Sequence, residues 1–199
     1  MSYTEIYAFN ENGYAYEYGE TRNAWRSAPI IWKFMEEKYL PPYIPNYVKC
    51  CYWYNPAMDY ESICKHLEYR PSRFPDFSKE KTGFKEICDL VDNENVSTTD
   101  KIVLHTTFDY ALVKKQDFNR IISAFQEFEA EGSSLLEQAE IFKEMMKDEN
   151  IIAAGWNQTS VNCDNWANFN NQYCPDDDKN HAYNCLIDDK HYWIFDEVK

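Results

Sequence analysis

The segment 156–191 holds the richest set of side chains that could carry chemistry. Cys163 is followed directly by Asp164, and two histidines, His181 and His191, lie further along. A thiol nucleophile, an imidazole base and a carboxylate that orients the base form one common type of hydrolase site. A nucleophilic cysteine also needs a helix N terminus or a cation nearby to lower its pKa, and the sequence places neither beside Cys163. A small hydrolase-like enzyme is therefore an alternative hypothesis for this chain.

The same segment combines amides with aromatic rings, which suits a binding surface. Tyrosine and tryptophan bury a large area while presenting a polar tip, and they are enriched where proteins meet. We expect 157–173 to be an ordered loop against a sheet, with its tryptophans anchoring it or forming the surface. The candidate binding residues are Trp156, Asn157, Asn162, Asp164, Trp166 and Tyr173.

No metal and no cofactor is predicted. Cys163, Cys174 and Cys185 lie eleven residues apart, whereas structural zinc sites use ligand pairs two to four residues apart. The acidic run 176–178 lacks the alternating oxygen ligands and the terminal glutamate of a calcium loop. The five glycines are dispersed, so there is no phosphate-binding loop and chemistry that depends on ATP or NAD is disfavoured.

Charge narrows the class of partner. The chain has 34 acidic and 20 basic residues and a net charge of −14, and residues 82–199 hold 23 of the acids but only 10 of the bases. Binding to duplex nucleic acid requires clustered lysine and arginine, so it is disfavoured. A basic protein partner fits the charge better.

Acidic helix faces leave a further alternative, mimicry of nucleic acid. Lysines 143 and 147 interrupt this acidic stripe, and pairing within the helix is the simpler interpretation. The stripe consists of Glu127, Glu131, Glu137, Glu140, Glu144 and Asp148.

The expected cellular compartment rests on three features: the N-terminal sequence, the length of the apolar runs and the spacing of the cysteines. The N terminus has no basic region followed by an apolar run, and no apolar run is long enough to cross a bilayer. Seven cysteines without CxxC spacing indicate reduced thiols rather than a disulfide framework. We expect a cytoplasmic protein that binds no membrane.

The pattern of expected strands and helices predicts an α+β fold, which would position the candidate site residues. We predict one domain over 1–199, with a mixed or antiparallel sheet, N- and C-terminal hairpins and about four or five amphipathic helices. The region 41–81, rich in proline and tyrosine, is predicted to be an elaboration of that domain.

Alternating residues around Asn12-Gly13 predict the N-terminal hairpin. Helices are expected after Ser27, over 84–91, over 118–128 and after Ser134. Buried strands are expected over 101–107 and 151–156, with His105 a structural residue of the first, and a final hairpin over 182–195.

Taken together, these patterns favour an acidic, soluble, cytoplasmic binding protein over an enzyme. We expect an inhibitor, immunity-type or anti-defence factor that docks an acidic face, rich in aromatic residues, on a basic partner protein.

Overall fold

The computed structural model describes residues 3–11, 14–22, 26–40, 65, 83–108, 110–158, 181–182 and 191–198. Within these ranges the chain forms a mixed six-stranded sheet with helices packed against one face. This is the predicted α+β class. The predicted elaboration over 41–81 lies outside the described residues apart from Lys65.

The N-terminal hairpin is confirmed. Strand β1 spans Tyr3–Asn10 and strand β2 spans Tyr14–Arg22, and the two pair antiparallel. The alternation of Ile6 and Ala8 with Tyr7 and Phe9 distributes the side chains between the two faces of the sheet.

Helix α1 spans Ala28–Tyr39, with a proline in its first turn as predicted. Helix α2 spans Gly83–Cys88 and continues as a 3₁₀ turn over Asp89–Asp92. Together they cover the helix expected over 84–91.

The strand predicted over 101–107 is wrong. Residues Thr98–His105 form helix α3, and the Ser97 hydroxyl caps it by accepting a hydrogen bond from the Asp100 amide at 3.2 Å. The run from Ile102 to Thr107 is buried throughout. Short apolar runs of this kind have no periodicity that separates a buried strand from a buried helix.

The second half of the chain supplies the centre of the sheet and two more helices. Strand β3 spans Ala111–Lys114, a 3₁₀ turn covers Lys115–Asp117, and helix α4 spans Phe118–Glu127. Helix α5 spans Leu135–Met145 and leads into strand β4, Ile151–Gln158. Both helices and β4 were expected from the sequence.

The two short strands near the C terminus are present, at opposite edges of the sheet. Strand β5, His181–Ala182, pairs antiparallel with β2, and strand β6, Tyr192–Trp193, pairs parallel with β3. The strand order is therefore β5-β2-β1-β4-β3-β6. Helix α6, Ile194–Glu197, follows β6.

The two faces of the sheet carry separate apolar clusters. The face covered by the helices includes Trp156, which stacks on Phe142 with ring centroids 5.4 Å apart. The opposite face, called the second face below, carries a cluster of strand residues centred on Phe9 and Leu112. A Cβ on Gly155 would lie 2.8 Å from Leu112 Cδ2, so the Leu112 side chain would have to shift to make room for it.

Candidate binding site on the second face of the sheet

Most of the predicted site residues of the long polar segment lie outside the described residues. These are Asn162, Cys163, Asp164, Trp166 and Tyr173. Their roles stay predictions. The other four predicted residues, Trp156, Asn157, His181 and His191, are placed by the structure.

The two predicted histidines lie at opposite edges of the sheet. His181 is in β5, while His191 immediately precedes β6, and four strands lie between. At about 4.8 Å per strand, the two edge strands are roughly 24 Å apart. One catalytic centre can therefore use only one of these histidines.

His191 lies in an apolar setting. Its ring packs edge to face against Tyr110, with centroids 5.3 Å apart. Burial lowers the pKa of His191 to about 4, so the imidazole is neutral at pH 7.

A further buried histidine is His105, at the end of α3. Its Nδ1 is 3.0 Å from the Tyr192 hydroxyl, which ties α3 to β6. Burial lowers the pKa of His105 to about 4 and raises that of Tyr192. The two groups form a neutral hydrogen-bonded pair, whose evident role is to hold the C-terminal strand in place.

Trp156 is part of the core rather than of a surface. Its exposed fraction is zero, and its indole N–H donates to Gln138 Oε1 at 3.1 Å. The Gln138 amide in turn lies 3.2 Å from the Ser134 hydroxyl. Contact between Trp156 and a partner is incompatible with this position, and anchoring is the role that fits it.

The Gln138 amide belongs to a buried polar network that connects α5 with the N-terminal strands. Thr4 Oγ1 lies 2.8 Å from Ser27 Oγ and 2.7 Å from Gln158 Oε1. Since an amide oxygen only accepts, the Thr4 hydroxyl donates to Gln158 and the Ser27 hydroxyl donates to Thr4. Satisfied networks of this kind fix one arrangement of the elements around them.

Asn157, the remaining predicted residue, points to a different site. Its side chain is 6% exposed, and its Nδ2 donates to Glu5 Oε2 at 2.8 Å. The Tyr7 hydroxyl donates to the same carboxylate oxygen at 3.1 Å. The Asn157 Oδ1 atom is buried and accepts no hydrogen bond from the described residues.

The Glu5 carboxylate belongs to a cluster with two others. In the β1–β2 register Glu5 faces Glu20, and Tyr7 faces Glu17. Residues directly opposite in adjacent strands lie on the same face of the sheet. We call Glu5, Glu17 and Glu20 the carboxylate cluster.

A β-bulge in β2 creates this cluster. Residues three apart on a regular strand lie on opposite faces, because side chains alternate. The register shifts by one residue between Ile6 and Tyr7, so Tyr18 is an extra residue in β2. The bulge brings Glu17 and Glu20 to the second face together. Bulges re-aim side chains in this way and are common beside functional sites.

The other two carboxylates act on Glu17. Partial burial, and then the charges of Glu5 and Glu20, raise the pKa of Glu17. Burial, followed by the Glu5 charge and its hydrogen bond, raises the pKa of Tyr7. Negative charge therefore accumulates at this part of the sheet.

No described lysine or arginine forms an ion pair with the cluster, although the exposed Arg22 lies two residues from Glu20 on the same face. Among the described residues, no lysine or arginine lies within 4.0 Å of a carboxylate of Glu5, Glu17 or Glu20. The acidic stripe of α5 differs in this respect. Glu140 pairs with Lys143 at 2.5 Å, and Glu144 pairs with Lys147 at 2.6 Å.

Sequence reasoning identified Asn157 but missed the carboxylate cluster. The glutamates of β1 and β2 look like ordinary solvent-facing residues of a hairpin, and the bulge that joins two of them has no clear sequence signature. The one available signal was Gly19 within the strand pattern, since an isolated glycine in a strand often accompanies a bulge.

Comparisons with known proteins identify no relative, because no family model, curated protein or solved structure matches the chain. Among the described residues, no helix has the length and apolar character needed to cross a membrane.

Proposed function

We propose that this chain is a soluble cytoplasmic protein that docks a basic partner protein on the carboxylate cluster, as an inhibitor, immunity-type or anti-defence factor would. One observation carries the proposal. Glu5, Glu17 and Glu20 share one region of the second face, and no described lysine or arginine pairs with them.

The cluster lowers the stability of the isolated protein. Like charges directly opposite each other on neighbouring strands are unfavourable by roughly 0.2–1 kcal/mol. Lysine or arginine side chains of a partner would offset this repulsion on binding. The electrostatic free energy of the cluster is therefore lower in the complex than in the free chain.

The site is also partly organised before binding. Tyr7 and Asn157 both donate to Glu5 Oε2, so this carboxylate is held in place in the free protein. Fixing a binding group in advance reduces the entropy lost on association.

Mimicry of nucleic acid is less well supported by the geometry. A phosphate mimic needs a row of free carboxylates on a helix or ridge. Three acidic residues of α5 are instead paired with cations. Glu137 pairs with Arg26, Glu140 with Lys143 and Glu144 with Lys147.

The test uses two double variants that remove the same charge. Glu17→Gln/Glu20→Gln alters the cluster, and Glu129→Gln/Glu131→Gln alters exposed carboxylates on the loop after α4. The partner is captured from a lysate of the native host, identified by mass spectrometry and purified. Its affinity for each variant is then measured between about 0.05 and 0.5 M salt, where the screening length falls to roughly 4 Å.

We expect the cluster variant to bind at least tenfold more weakly than the loop variant, and binding of the unmodified chain to weaken as salt rises. Equal losses in the two variants would show that total charge, and not the cluster, attracts the partner. An affinity that does not change with salt would contradict an electrostatic interface.

A further inference from the structure

Strand β2 has an outer edge that is only partly paired. On that side β5 contacts Tyr14 and Ala15 alone, through Ala182 and His181. Residues 16–22 of β2 pair with β1 on their inner side, and no other described strand lies beyond them. In a strand, alternate residues turn their N–H and C=O groups to each side. A stretch of roughly 23 Å thus presents backbone groups that no described strand pairs.

The edge is acidic where it is unpaired. Two acids, Glu17 and Glu20, and one base, Arg22, are exposed on this stretch, so its net charge is −1. Two copies of β2 paired edge to edge would bring four carboxylates and two Arg22 guanidinium groups onto one face, and the remaining net negative charge disfavours a homodimer. A segment that carries positive charge experiences attraction at the same place.

Short edge pairing already occurs on β2. Strand β5 adds antiparallel at residues 14 and 15, so the geometry of this edge accepts a further strand. An added strand next to residues 16–22 would continue the line of β5. Peptides bind many proteins by this mode, in which backbone hydrogen bonds give affinity and side chains at alternate positions give specificity.

We propose that the partner docks by adding an extended, basic segment as a strand along residues 16–22 of β2. The proposal rests on the proposed function and specifies how that partner binds. Its backbone N–H and C=O groups pair with those of the β2 edge. Arginine or lysine residues at every second position lie on the second face, where they contact Glu17 and Glu20.

Arginine is favoured over lysine at these positions. A guanidinium group donates two parallel hydrogen bonds to one carboxylate, whereas an ammonium group acts as a point charge. The cross-strand pair Glu5 and Glu20 presents two carboxylates side by side, which suits a planar donor with five N–H groups.

The experiment uses three synthetic eight-residue peptides and the full chain. The first alternates arginine with threonine. The second has the same sequence with N-methyl groups on alternate residues, which remove the backbone donors of one edge and leave the charge. The third replaces arginine with glutamate. Affinity is measured by calorimetry, and amide hydrogen exchange is followed for residues 16–22 by NMR.

We expect the arginine peptide to bind and to slow exchange of alternate amides in residues 16–22 by at least tenfold. The N-methylated peptide, methylated on the edge that faces β2, should bind at least tenfold more weakly, and the glutamate peptide should not bind. The variant Glu17→Gln/Glu20→Gln should weaken binding of the arginine peptide.

Three results would overturn the inference. Equal binding of the arginine and N-methylated peptides would show that charge alone attracts the peptide, and the proposed function would stand without strand addition. Slow exchange, without peptide, of the alternate amides in 16–22 that point away from β1 would show that the edge is already occupied. Absence of binding would show that the acidic residues only protect the edge, while the lysate experiment tests the basic partner independently.

Discussion

Glu5 and Glu20 face each other directly across strands β1 and β2, although both carry a carboxylate. Repulsion between such a pair costs stability, so Glu20→Gln should raise the free energy of unfolding by about 0.2–1 kcal/mol at low salt. The same substitution should weaken binding of the basic partner. Urea denaturation in about 0.02 M salt measures the first effect, and the gain should shrink as added salt screens the pair.

Glu129→Gln is the matched control for this measurement, because Glu129 is exposed on a loop outside the sheet. It removes one negative charge without altering the cluster. An equal gain in stability from both variants would mean that net charge, rather than the cross-strand pair, determines the effect.

Asn157→Asp tests the polar environment of Glu5. The new carboxylate would be buried beside an existing one, so its pKa should be raised. A carboxyl group with a raised pKa in the folded chain destabilises that state when ionised, and the loss diminishes as pH falls and the group takes up a proton. We therefore expect Asn157→Asp to be clearly less stable than the unmodified chain at pH 7.5, and the difference to narrow at pH 5.

Chemical denaturation at both pH values measures this difference. Asn157→Ala is the control, since it also removes the amide donor but adds no titratable group. Its stability difference from the unmodified chain should be nearly the same at the two pH values. A pH-independent loss in Asn157→Asp would contradict the prediction.

The local signals in the sequence predicted much of the fold. The alternation on both sides of Asn12-Gly13 predicted the hairpin, and the apolar spacing of Phe118, Ile121, Ile122 and Phe125 predicted α4. The strand expected over 101–107 failed for a physical reason. Its apolar part, Ile102 to Leu104, is only three residues long, and the polar residues that follow it are also buried, so the run shows no period that separates a helix from a strand.

The candidate site was less predictable because it depends on register. Glu5 and Glu17 belong to the N-terminal hairpin, whereas Asn157 belongs to the distant strand β4, and the three come together because β1 pairs with both β2 and β4. The bulge at Tyr18 then decides which glutamates share a face. Neither the pairing of distant strands nor a bulge is determined by the composition of one segment.

The pair formed by His105 and Tyr192 predicts a response to acid. The pKa of His105 is about 4 in the folded chain and near its ordinary value of 6.5 when unfolded. On acidification the unfolded chain therefore binds the proton first, so stability is complete above pH 6.5 and declines as pH falls towards 4. Full protonation of His105 would remove roughly 3 kcal/mol.

The double variant His105→Phe/Tyr192→Phe removes both partners and leaves neither polar group unpaired. Its stability should decline less steeply between pH 6.5 and 4 than that of the unmodified chain. His191 also has a lowered pKa, so part of the decline should remain. Identical pH profiles for the two proteins would show that His105 does not govern the response.

Gly155→Ala tests the packing of the second face. The added methyl group would lie 2.8 Å from Leu112 Cδ2 and 3.3 Å from the Ala111 carbonyl oxygen. Crowding in a filled core typically costs 1–3 kcal/mol, and we expect a loss of about this size in thermal or urea unfolding. The double variant Gly155→Ala/Leu112→Ala provides more room at the closest contact. Its total loss of stability should therefore be smaller than the sum of the losses in the two single variants.

Trp156→Phe separates a core role from a binding role at the tryptophan that begins the long polar segment. The substitution removes the indole N–H that donates to Gln138 Oε1, and it leaves that buried oxygen without its donor. An unsatisfied buried acceptor costs about 1–3 kcal/mol, and the smaller ring adds a packing loss. Because Trp156 has no exposed surface, the affinity of Trp156→Phe for the partner, measured well below the melting temperature, should remain within about twofold of that of the unmodified chain. If Trp156→Phe instead kept its melting temperature and lost the partner, the indole would have to reach the interface, and the buried position found here would not be the one that binds.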